Sequence, residues 1–212
     1  MNARRPVAAP SDGGAARRAE ILARVRANQP TAGPSPPLPV YDRALQVPLD
    51  TFAANLERMG GELVAVPDEG DLEDWIRRRY PQARVVCSAT PDVAGTRSIA
   101  SVSAPCDLAD VDVGVVRAAL GVAETGSVLL TERHLGINAL GFLAQHLVVL
   151  LDPSSIVPDL HHAYRDPCFR DARYTLLLTG PSATADIEGV LVRGAQGVRS
   201  LTIIARAPRR SA

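Results

Sequence analysis

The apolar positions of this chain fall first on a helical stripe, then on an alternation of helix-length and strand-length patterns. Asp12 is placed to cap a helix running to about Asn28, with Ala16, Ala19, Leu22 (or Ile21) and Val25 on one stripe and arginines opposite. Prolines then stand at positions 30, 34, 36, 37 and 39. Each fixes φ and removes a backbone donor, so this stretch propagates neither a helix nor a sheet ladder and reads as a semi-rigid linker. The expected organisation is a helical arm and linker over residues 1–46 and an α/β domain over 47–212. The arm either packs on its own domain or grips a partner or a second copy.

From Val47 onward, helix and strand patterns alternate. Asp50 is placed to cap a helix through Met59, closed by Gly60 and Gly61, and Glu62 to Val66 follows as a short buried strand. Asp71 to Tyr80 repeats the helical spacing with Leu72, Trp75 and Ile76 inward, and Arg84 to Cys87 is the next strand. Two such units in succession predict a mostly parallel sheet flanked by helices. Further strands are expected at Val111 to Val116, Val128 to Thr131, Leu147 to Leu151, Tyr174 to Leu178 and Leu201 to Ala205, with helices around Ser155 to Tyr164 and Thr184 to Arg193. Little helix separates the runs between Val111 and Leu147, so part of the sheet should be antiparallel, making it mixed.

Composition narrows the chemistry. The 212 residues are enough for one α/β domain, and a formal net charge of zero gives no broad field to attract nucleic acid or anionic lipid. Every basic side chain among the 23 Lys and Arg is arginine. A lysine Schiff base and a Walker A phosphate loop are thereby excluded. Cys87, Cys106 and Cys168 lie far apart, without the close spacing of zinc or iron–sulfur ligands, so no metal or cofactor is expected on this chain. Cys87 ends an apolar run and should be a buried strand residue; Cys106 and Cys168 adjoin prolines and should lie in loops. With no signal-peptide pattern, no apolar stretch of spanning length and an odd number of thiols, the expected location is the cytoplasm.

Two segments are candidates for chemistry. Gly121 to Ser127 places small and polar residues at the start of a strand: Glu124 offers a carboxylate for general-base or nucleophilic work, Thr125 and Ser127 offer hydroxyls, and Gly126 permits a close approach. The same residues also suit a tight turn satisfied by its own hydroxyls. Leu178 to Gly189 reads as a strand, a turn at Gly180 and Pro181, and a helix start with Ser182, Thr184, Asp186 and Glu188. Free amides at such a start bind a phosphate or carboxylate, and the same side chains equally cap a helix that binds nothing. His146 is either a strand-end core residue or a site residue. His161 and His162 appear near a helix end, and His134 in a loop.

In order and separation, Ala123-Glu124-Thr125-Gly126-Ser127, His146-Leu147-Val148-Val149-Leu150 with Ile156-Val157-Pro158, and Gly180-Pro181-Ser182-Ala183-Thr184-Ala185-Asp186-Ile187-Glu188 resemble the LUD domain of the lactate-utilisation protein C family, over roughly Val47 to Ala205. The resemblance implies a fold similar to the ribose-5-phosphate isomerase and CoA-transferase group. It also implies a non-redox subunit supporting oxidation of L-lactate to pyruvate beside iron–sulfur partner proteins. The chain departs from the family where relatives often carry a histidine-glycine-proline turn; here it reads Gly194-Ala195-Gln196-Gly197-Val198, a turn that Gly194 and Gly197 still permit. Two other readings compete: a stand-alone enzyme acting on a CoA thioester or sugar phosphate, suggested by Glu124, and a scaffold subunit without a small ligand.

Overall fold

The computed structural model describes residues 12–30, 33–34, 36–37, 48–66, 71–186 and 188–208. Pro39, read above as part of the linker, lies outside them. The chain divides into two compact units, Met1–Leu38 and Pro39–Ala212. In the first, helix α1 (Asp12–Ala27) carries the predicted arm, with an Arg24–Glu20 ion pair one turn apart and the Asn28 side chain donating to the Arg24 carbonyl at its end.

The second unit begins with α2 (Pro48–Arg58), β1 (Glu62–Val64), α3 (Leu72–Arg79) and β2 (Val86–Ser88). Asp71 caps α3 by accepting from the Glu73 and Asp74 amides. Asp50 falls in the first turn of α2 instead of at its cap, because the helix already starts at Pro48, whose missing N–H costs nothing there. The chain continues through β3 (Arg97–Ser98), β4 (Val113–Arg117), β5 (Leu120–Val122), β6 (Ser127–Thr131), α4 (Glu132–Leu135), α5 (Leu140–Leu143) and β7 (His146–Leu151). Last come β8 (Ile156–Val157), α6 (Leu160–Arg165), α7 (Pro167–Asp171), β9 (Thr175–Leu178), β10 (Ala183–Thr184), β11 (Val192–Arg193) and β12 (Ser200–Ala205).

The main sheet has six strands in the order β1-β12-β7-β4-β2-β3, and every neighbouring pair is parallel. Its central strands are buried on both faces, which is why they read as unbroken apolar runs. Alternate residues go to separate cores: Leu147, Val149 and Leu151 of β7 join Phe52 and Leu56 of α2, while Val148 and Leu150 join Leu72 and Ile76 of α3. The antiparallel part expected between Val111 and Leu147 is a separate four-stranded sheet, β8-β5-β6-β9. The chain leaves β4 and passes within three residues into β5, which pairs antiparallel with β6. One face of this second sheet, with Val128 and Leu130, closes the α2 core; the other, with Leu120 and Leu129, is covered by Ala163 and Phe169.

Three expectations fail. Of the helix around Ser155 to Tyr164, only the six-residue α6 forms, since Ile156 and Val157 pair with β5; His161 and His162 lie within it, His162 in the last turn and also bonded through its amide to the cap Asp159. His134 is helical, within α4, and Cys106 and Cys168 lie in short helices opened by Pro105 and Pro167. The helix expected over Thr184 to Arg193 is absent: β10 and β11 pair antiparallel there, around a turn in which Glu188 and Gly189 have positive φ. A helix of that length needs a buried face, yet Val190 and Leu191 are exposed and Gly189 would sit in its interior.

Candidate functional site

The turn between β5 and β6 holds the first predicted segment. Gly126 has φ +68° and packs so closely on the Asn55–Leu56 backbone of α2 that no Cβ fits. Asn55 completes the junction, its side-chain amide donating to the Ala123 carbonyl at 2.8 Å and to that of Glu124 at 3.0 Å. Glu124 is exposed, with one carboxylate oxygen 3.4 Å from the Leu160 amide of α6. Thr125 and Ser127 share a hydrogen bond of 2.7 Å between their hydroxyls.

The second segment meets the first. Thr179 lies 2.5 Å, hydroxyl to hydroxyl, from Ser127, and Gly180, at φ +128°, packs against the Met59 carbonyl at the end of α2. Both segments therefore converge on the C-terminal turns of one helix. Beyond half-buried Pro181, the Ser182 amide donates to Val198 and its carbonyl accepts from Gly194. Gly194 and Gly197, both with positive φ, make the turn that the sequence permits without the family histidine. Thr184 and Asp186 form a local exchange of hydrogen bonds at 3.2 and 3.3 Å, and Glu188 is exposed in the hairpin turn. With no helix here, the helix-start basis for an anion-binding loop at Ser182 and Thr184 is lost.

His146 opens β7, paired in register with Ser200, whose hydroxyl is 2.7 Å from its Nδ1. Its ring stacks on Tyr80, with centroids 4.8 Å apart. Burial, then Arg199 and Arg79, push its pKa down, so the ring is neutral at neutral pH. It lines a hollow of 450 Å³ with Arg79, Asp112 and Arg199 at the amino ends of the parallel strands. Ser182 reaches the same rim through Val198, two residues before Ser200. Thus His146, Ser182, Gly180, Ser127 and Thr125 share one region of the molecule. The Thr125 and Ser127 hydroxyls engage each other, His146 engages Ser200, and the Ser182 backbone engages Val198 and Gly194.

The opposite rim, at the carboxyl ends of the parallel strands, holds a cleft that no predicted site residue lines. Open α/β sheets place ligands at this end. The cleft measures 300 Å³ and is walled by Ala89, Pro91 and Pro208, with Thr90, Asp92, Arg117, Arg133 and His134 supplying the polar groups. Arg117, the last residue of β4, gives Nε and Nη2 to Asp92 Oδ2 at 3.0 and 2.8 Å, and Nη1 to the Arg206 carbonyl. Thr90 donates its hydroxyl to the same Asp92 oxygen at 2.7 Å. Arg133 and His134 also line an adjoining hollow of 250 Å³ beside Cys168. A signal for this rim existed in the sequence: charged and polar residues follow apolar strands, Arg117 after Val113 to Val116 and Glu132-Arg133-His134 after Val128 to Thr131.

Among the described residues, no group of three or more His, Cys, Asp or Glu side chains is placed to hold a metal ion. Burial pushes the Cys87 and Cys168 thiols up, away from the reactive thiolate form, and no helix among the described residues is long and apolar enough to cross a membrane.

Comparison with known proteins agrees with this architecture. Residues 103–205 match the LUD domain family, a narrower span than the resemblance read from Val47. The crystal structure of a DUF162 family protein from Deinococcus radiodurans is similar to this chain with a TM-score of 0.56 and 18% identity, over 74% of this chain and 95% of that one. At that identity the likeness establishes the fold alone. No curated protein matches the chain.

Proposed function

We propose that this chain serves lactate utilisation as a cytoplasmic subunit without a redox centre of its own, supporting oxidation of L-lactate to pyruvate beside iron–sulfur partner proteins. The observation that carries the reading is the LUD-domain match over residues 103–205, which contains every segment singled out for chemistry, from Glu124 to Glu188. Oxidation of lactate releases two electrons and two protons. In this reading the electrons go to the partners' clusters, and Glu124, the exposed carboxylate of the first segment, is the group the chain offers as acid or base.

The test is purification of the tagged full chain from cells grown on L-lactate. Iron–sulfur proteins should copurify, and L-lactate-dependent dye reduction by the mixture should fall when this chain is omitted. Normal growth on lactate after deletion of the gene, with no cluster-bearing protein copurifying, overturns the proposal.

A further inference from the structure

We infer that the cleft at the carboxyl ends of the parallel strands binds a small monocarboxylate, held by the Arg133 guanidinium and the His134 Nε2–H, with its apolar end against Ala89, Pro91 and Pro208. Three observations lead there. Arg133 is exposed, and among the described residues no hydrogen bond or ion pair engages its guanidinium. An arginine fork facing a cleft matches a carboxylate in shape and charge.

The second observation is the orientation of His134. The Thr131 amide, which can only donate, lies 3.2 Å from its Nδ1, so Nδ1 is an acceptor and the proton of the neutral ring is on Nε2. Nε2 is the ring nitrogen left for the cleft that His134 lines. Burial, the largest influence on this ring, lowers its pKa and keeps it neutral, so it serves as a hydrogen-bond donor beside the one cation.

The third observation is the charge of the lining. Arg117 and Asp92 form an ion pair that is largely shielded from solvent, and Arg133 is the other charge of the wall, with the neighbouring Glu132 carboxylate acting on it through space. A single negative charge is what one guanidinium can hold here, whereas a doubly charged phosphate would add repulsion from the Asp92 and Glu132 carboxylates. The cleft is near the lower end of small-molecule sites and combines this polar corner with alanine and proline surface. L-Lactate and pyruvate, each a carboxylate bearing a methyl group, belong to this class, and only that identification rests on the proposed function.

The experiment titrates the isolated full chain with sodium pyruvate, L-lactate and inorganic phosphate at constant ionic strength, following heat and melting temperature. Pyruvate or L-lactate should saturate, and Arg133→Gln should weaken binding roughly ten- to a hundred-fold, as expected for loss of a charged hydrogen-bond partner. Arg199→Gln, at the opposite rim, should leave binding unchanged. In the unmodified chain, saturating pyruvate should shift the His134 Nε2 resonance, a readout independent of how any variant folds. Failure of both acids to saturate, equal affinity in Arg133→Gln, an unmoved His134 resonance, or tighter binding of phosphate would overturn the assignment. Copurification with cluster-bearing proteins is measured separately, so failure here and failure of the subunit role are distinguishable.

Discussion

The Ser127 hydroxyl lies 2.5 Å from that of Thr179, a contact between residues 52 positions apart at the end of the antiparallel pairing of β6 with β9. Ser127 is buried and also bonded to Thr125. Its hydroxyl is therefore the centre of a three-member chain, and removing it strands two partners. Ser127→Ala should lower unfolding free energy by about 1–3 kcal/mol in urea titrations. Combined with Thr179→Val, the two losses should fall short of their sum by roughly 0.5 kcal/mol or more; strict additivity would mean the contact carries no energy.

Gly126→Ala should destabilise the protein by about 2 kcal/mol or more, since the left-handed backbone strains an alanine and its methyl has no space against α2. Asn55→Ala, which strips two carbonyls of their donor at the same junction, should cost about 1–3 kcal/mol. Denaturation midpoints of the two variants measure both effects.

Arg117→Ala should cost about 3–5 kcal/mol, because it leaves the largely buried Asp92 carboxylate without its guanidinium and the Arg206 carbonyl without its donor. A thermal melt indistinguishable from that of the unmodified protein would show that the pair contributes nothing to the carboxyl-end rim.

Stability should also depend on pH in a defined window. His134 and His146 are both held below the ordinary 6.5, first by burial. Above that value each ring is neutral whether the chain is folded or unfolded, so their contribution is complete. As pH falls through it, the unfolded chain takes up protons that the folded rings refuse, and stability declines until the pH passes the lowered folded values. Urea midpoints should therefore drop as pH falls below the ordinary 6.5, and less so in His146→Gln. The lowered carboxyls of Glu62 and Asp159 act further down, below their ordinary 4.5 and 3.8.

Local pattern was enough to specify the parallel core. A strand buried on both faces must be apolar at every position, so the runs ending in β4, β7 and β12 are visible as such, and Asp71 marks the start of α3 by the chemistry of its cap. The closeness of Ser127 to Thr179, and of Gly126 and Gly180 to α2, was decided by how the second sheet packs, which no spacing along the chain encodes. The same holds for Thr184 to Arg193, where helical spacing exists but nothing buries its apolar face, so pairing of β10 with β11 prevails. Arg117 and Arg133-His134 are ordinary polar residues in the sequence. They become one cleft only because β4 and β6, which belong to different sheets, end beside each other.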